Sequence, residues 1–153
     1  RHPEAAGLVM TLALTFALCL IAPSDLVGAW TYDGYIYRDD RYPLPNPNLH
    51  LTFTFRDDDQ VRLFWTRRDE TGFCEREAFY SIENDLLYQK IDWVNPDNRP
   101  DCQSDSDMQL GRESLTRVRI VGDELHFILN LDDEDFFYVL KKTTTPRTPK
   151  ERK

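Results

Sequence analysis

A two-residue period runs through this chain from residue 28 to residue 141, and few folds can accommodate it. In LHLTFTF at 49–55, Leu49, Leu51, Phe53 and Phe55 alternate with His50, Thr52 and Thr54. Successive side chains of a strand point to opposite faces, so such a stretch is half buried. The period recurs at 28–37, 60–68, 73–82, 86–93, 115–121, 124–131 and 135–141. At 60–68 it sets Val61, Leu63 and Trp65 against Arg62, Phe64 and Thr66; at 73–82 it groups Cys74, Arg76, Ala78, Tyr80 and Ile82. Short polar turns separate most of these stretches, among them Asp57-Asp58-Asp59, Val121-Gly122-Asp123 and Asp132-Asp133-Glu134. Eight strands in sequence with short turns predict an all-β, eight-stranded antiparallel up-and-down barrel, because closure removes exposed edges. A two-sheet sandwich is the competing arrangement.

Two stretches break the rhythm. Residues 38–48 (RDDRYPLPNPN) hold three prolines and no period, which predicts a stiff loop over the barrel mouth. Residues 94–114 form the longest irregular stretch, and a loop of that length in a compact domain is functional or fastened. Cys74 and Cys102 are the two cysteines beyond the N-terminal apolar run, so a disulfide would fasten it. The alternative is a pair of buried thiols.

Residues 5–22 (AAGLVMTLALTFALCLIA) carry no charge and follow Arg1 and His2. A positive start, an apolar middle and the small residues of Ala22-Pro23-Ser24 read as a secretory signal cleaved before Asp25. The alternative is an uncleaved anchor, since 18 apolar residues lie near the lower limit for a bilayer span. The expected organisation is a signal peptide or anchor at 1–24, a barrel at 25–141 and a disordered basic tail at 142–153. The expected location is periplasmic or secreted, with no membrane span once the signal is removed.

Charge narrows the partners. Residues 25–141 carry 13 Lys and Arg against 25 Asp and Glu, a net −12, whereas 142–153 carry +4. A body this acidic repels phosphate backbones and anionic membranes, so nucleic acid is not an expected partner. No nucleophile turn and no glycine-rich phosphate loop occurs, so neither an enzyme nor a cofactor is expected. His50 and His126 fall on polar strand faces and read as solvated. Asp101, Asp105 and Asp107 offer oxygens at calcium-like spacing, but the register of a calcium loop fails. The cluster reads as an acidic, solvated loop, and no metal site is assigned.

The stretch LVGAW, a long first loop and an eight-strand meander together resemble the lipocalin-like, or calycin, barrels of bacterial envelopes. The motif is the Gly-x-Trp at Gly28 and Trp30, which avidin-like chains share. The resemblance implies that Gly28 and Trp30 form the barrel floor, with Lys141 or Lys142 above the indole. The chain lacks the Thr-Asp-Tyr signature and the C-terminal helix of true lipocalins. The apolar strand faces independently point Phe53, Phe55, Leu63, Trp65 and Phe127 inward as candidate ligand-binding residues. An eight-stranded barrel is either filled by such side chains or holds one small ligand. The leading expectation is therefore a non-catalytic exported barrel that binds a small apolar or amphipathic ligand. The alternative is an envelope protein-interaction or inhibitor module with a filled core, using outward aromatics such as Phe64, Phe79 and Tyr88 against a protein partner.

Overall fold

Nine strands, not eight, emerge from this pattern in a computed structural model, which describes residues 19–144. One helical turn, α1 (Pro23–Leu26), leads into β1 (Gly28–Tyr37) and the short β2 (Asp40–Pro43). The long strands follow as β3 (Leu49–Phe55), β4 (Gln60–Arg67), β5 (Cys74–Glu83) and β6 (Leu86–Val94). After two 3-10 turns at Pro100–Ser104 and Ser106–Met108 come β7 (Glu113–Val121), β8 (Glu124–Leu131) and β9 (Glu134–Lys142).

All neighbours are antiparallel, in the order β2-β1-β3-β4-β5-β6-β7-β8-β9, and β1 also pairs with β9. This corrects the expected eight-stranded up-and-down barrel: the ring of pairings is not that closed barrel. One edge of β1 pairs with β9 from Trp30 to Tyr37. The other edge is divided. β3 takes only Gly28–Thr31, and β2 takes Gly34–Tyr37. Above Thr31 the wall between β1 and β3 is therefore not hydrogen-bonded, and β2 ends as a short edge strand closed by Pro43. Short length and a terminal proline both blunt an edge against further pairing. The expected loop at 38–48 is in part this strand.

Turn chemistry explains the hairpins. Arg38-Asp39, Asn84-Asp85 and Asp132-Asp133 all have positive φ at both residues, as a two-residue type I′ turn requires. Asn and Asp tolerate that region better than other side-chain-bearing residues. The acidic turns thus shape the backbone as well as the surface charge.

The core is filled at one end. Leu26, Trp30, Phe55, Val61, Tyr80 and Leu87 are buried there together. Trp30 Nε1–H donates to the Leu26 carbonyl at 2.8 Å, which anchors α1 as a plug. Burying a leucine such as Leu26 contributes about 1.5–3 kcal/mol. Lys142 Nζ lies 5.3 Å from the Trp30 ring centroid, and a Cβ on Gly28 would sit 3.3 Å from Lys142 Cε. Gly28, Trp30 and Lys142 thus close this end. Residues 1–18 of the expected signal or anchor and 145–153 of the expected tail lie outside the described residues. Ile21 is docked: it packs on the closed-end core, and its N–H donates to Asp85 Oδ1 at 2.9 Å.

Cys74 and Cys102 are joined by a disulfide, with Cα atoms 5.7 Å apart. The bridge ties the start of β5 to the first 3-10 turn, beside Leu63, Trp65 and Met108. Fixing a loop of this length stabilises the fold by roughly 3.5 kcal/mol on the chain-entropy account.

Candidate ligand cavity

The end of the sheet opposite Trp30 is not filled. A cavity of about 510 Å³ lies there, lined by inward side chains of β1 and β3–β9 and bordered by residues of the two irregular segments. That size is ordinary for a small-molecule site.

Two of its flanks are apolar. Leu51, Phe53, Leu63 and Trp65 come from β3 and β4; Phe127 and Leu129 come from β8. Phe53 and Phe127 join the two flanks in an edge-to-face contact, with ring centroids 5.2 Å apart. Of the residues expected to face a ligand, Phe53, Leu63, Trp65 and Phe127 line this space. Phe55 does not. It is 1% exposed and packs edge-on against Tyr80 in the closed end, with centroids 5.0 Å apart. Its phase along β3 directs it inward, but its position lies below the cavity.

The third flank is polar. Arg76 (β5), Gln89 (β6), Ser114 and Thr116 (both β7) face the same space. Arg76 is 3% exposed. Its Nε–H donates to the Asp107 carbonyl at 3.1 Å and its Nη2 to Gln89 Oε1 at 3.1 Å. Its Nη1 has no hydrogen-bond partner among the described residues. Burial pulls the guanidinium down to about 10, against the opposing pull of Asp107, Asp105 and Asp92, so it remains charged at neutral pH. The guanidinium carbon also stands 5.7 Å from the Phe53 ring centroid. The exposed rim carries Pro45, Asp105, Asp107 and Arg112. Tyr32 and Tyr138 add an edge-to-face aromatic pair at 5.6 Å on the β1–β9 side. Burial and the neighbouring tyrosines push the Tyr32 phenol up to about 12, so it stays protonated.

The polar residues and the tyrosine pair were not anticipated as site residues. For Arg76 a signal existed: it occupies an apolar strand phase between Cys74 and Ala78, where a charge has no reason to sit unless it is used.

The acidic segment does not converge on a cation. Asp101 is turned to Arg99, 2.5 Å away, while Asp105 Oδ1 accepts the Asp107 N–H at 2.9 Å. Among the described residues no group of three or more His, Cys, Asp or Glu is placed to hold a metal ion. His126 also departs from expectation. It lies on the outer face, as its phase requires, yet it is 2% exposed rather than solvated. Its Nδ1 accepts from Arg119 Nε at 2.9 Å, so Nε2 carries the proton and donates to Glu124 Oε1 at 3.0 Å. Arg41 of β2 completes the group with two bonds to the Glu124 carboxylate, at 2.7 and 2.9 Å.

No protein-family model matches the chain, and no curated protein matches it either. Two solved structures are similar. A lipocalin-like protein from Bacteroides uniformis ATCC 8492 is 15% identical, with a TM-score of 0.52 over 78% of this chain and 99% of that one. A REP1-NXSQ fatty acid transporter is 13% identical, with a TM-score of 0.41 over 80% of this chain and 98% of that one. At such identities the likeness is one of fold alone, here to the fold of that lipocalin-like protein.

Proposed function

We propose that this chain is an exported, non-catalytic protein whose curved sheet takes up one small apolar or amphipathic molecule. The carrying observation is the cavity of about 510 Å³ above a filled end, with apolar flanks from β3–β4 and β8 and a polar strip across β5–β7. A protein-interaction module would need no such space. Among the described residues no histidine, cysteine or lysine lines the cavity. Export to the periplasm or the medium is supported by the uncharged run at 5–22 and by the Cys74–Cys102 bridge, which an oxidising compartment maintains.

Titration with the neutral dye N-phenylnaphthylamine tests the reading. Saturable binding near one dye per chain is expected, with a change in Trp fluorescence. Trp65→Arg places an uncompensated charge in the cavity and abolishes binding; Phe53→Leu weakens it; Phe64→Leu, on the opposite face of β4, leaves it intact. Binding that survives Trp65→Arg in a folded protein but is lost in Phe64→Leu would move the site to the outer surface. No saturable binding to the wild-type chain would contradict the reading.

A further inference from the structure

Arg76 is the one cavity-lining charge that is fully buried, and its hydrogen bonding is incomplete. A guanidinium has five N–H donors. Nε–H is taken by the Asp107 carbonyl and one Nη2 donor by Gln89, while Nη1 has no partner among the described residues. No carboxylate lies within 4.0 Å of Arg76 among the described residues either. Three other arginines show the contrast. Arg41, Arg62 and Arg99 all have carboxylate partners, although each is more exposed than Arg76.

A buried cation without an anion is expensive, and it is retained when something else supplies the counter-charge. Two protein contacts hold the guanidinium in place and leave its Nη1 edge unused. Gln89 accepts from Arg76 through its amide oxygen but is neutral, so it supplies no counter-charge. Asp105 and Asp107 border the same cavity and Asp92 also pulls on the guanidinium, but all three are exposed and screened by water, whereas Arg76 is not. The Phe53 ring beside the guanidinium and the apolar residues beyond it leave the rest of the cavity suited to a hydrocarbon body.

We infer that the ligand is an amphipathic carboxylic acid, whose carboxylate accepts hydrogen bonds from the free Nη1 edge of Arg76 while its apolar chain lies against Phe53, Trp65 and Phe127. This rests on the ligand-binding reading above and adds the chemical class. Charge-assisted bonds of this kind in a buried site are among the stronger ones a protein makes. Ser114 and Thr116 extend the polar strip along β7, where they can solvate the second carboxylate oxygen directly or through water.

Decanoate and decanol, each titrated by calorimetry at pH 8 into the full chain, separate the head group from the tail. The quantity read is the ratio of the two affinities, compared between wild type and Arg76→Gln, so that the different water solubilities of acid and alcohol cancel. The ratio is expected to fall on the order of tenfold or more in the variant. Arg76→Lys, which keeps a charge but not the fork, should retain part of the preference. A second measurement needs no variant. The carboxyl of [1-13C]decanoate, followed by NMR, should titrate at lower pH when bound than when free, because the charged form is the one held. An unchanged ratio in a folded Arg76→Gln protein, or a bound carboxyl that titrates at or above its free value, overturns the acid-group assignment while decanol binding leaves the cavity reading standing. Failure of both decanol and decanoate to bind overturns the cavity reading and this inference with it.

Discussion

A polar residue that alternates with apolar ones along a strand is not thereby solvated, and His126 shows why. The outer face of β8 is crossed by Arg41, which reaches Glu124 from β2, and it is flanked by Arg119 and Phe137. Arg119 also lies over the Phe137 ring, 4.2 Å from its centroid. Burial pulls the imidazole below its ordinary 6.5, more strongly than the Glu124 hydrogen bond raises it. The Arg41 guanidinium, with help from His126, holds the Glu124 carboxyl down at about 2 despite the opposing effect of burial. Both shifts act in the same direction on stability. Wherever the unfolded chain binds more protons than the folded one, stability falls as pH falls. His126 contributes stability that is present above pH 6.5 and is lost as pH drops below it; Glu124 contributes stability present above 4.5 and lost as pH falls from there towards 2. The urea midpoint should therefore decline from pH 7 to 5.5, and that decline should be flatter in His126→Gln. Below pH 4.5 the decline should steepen in wild type and be shallower in Glu124→Gln. Equal slopes for wild type and His126→Gln between pH 7 and 5.5 would mean that the histidine is not held neutral.

At the scale of elements, β2 is what distinguishes this sheet from the barrel expected of the chain, and Gly34 makes room for it. The residue has φ +151, and a Cβ there would stand 2.3 Å from the Tyr42 carbonyl oxygen. The pairing of β1 with β9 also shifts register between Tyr32 and Gly34. Gly34→Ala must push β2 away, at a cost of about 1–3 kcal/mol by analogy with other overpacked sites. Gly111→Ala is the matched control: its φ of +83 is also unfavourable for a side chain, but nothing lies within 4 Å of the new Cβ. Urea unfolding should show Gly34→Ala to be the more costly, with faster amide exchange at Asp40 to Tyr42. Equal costs would show that β2 is not packed against Gly34.

The eight long strands were legible because each holds at least seven residues of alternating character and ends in turn residues. β2 was not, because four polar and aromatic residues ending in proline, followed by two more prolines, carry no measurable period. The disulfide was legible because Cys74 and Cys102 were the available pair. Period two assigns a face but not a height along the strand, so Phe53 and Phe55 looked equivalent although one lines the cavity and the other lies in the closed core. Arg76 was visible as a charge in an apolar phase, yet its unpaired Nη1 depends on Gln89 and Asp107 arriving from elsewhere, which no local pattern records.

Taken as one molecule, the protein divides along the strand direction. The end holding Leu26, Trp30, Phe55 and Tyr80 is solid and plugged by α1, and the end holding Phe53, Trp65, Arg76 and Phe127 encloses space. The solid end and the disulfide tie down the elements that carry the cavity walls, and a preformed cavity limits the ordering cost of binding. The division also makes the central claim local enough to map. The most direct test is an NMR titration of the labelled chain with decanol, followed at backbone amides and aromatic side chains. Shifts should concentrate on Leu51, Phe53, Trp65 and Phe127, stay small at Phe55, Tyr80 and Leu87, and saturate near one decanol per chain. Shifts that instead centre on the outward Phe79 and Tyr88, or that never saturate, would contradict a ligand held inside the sheet.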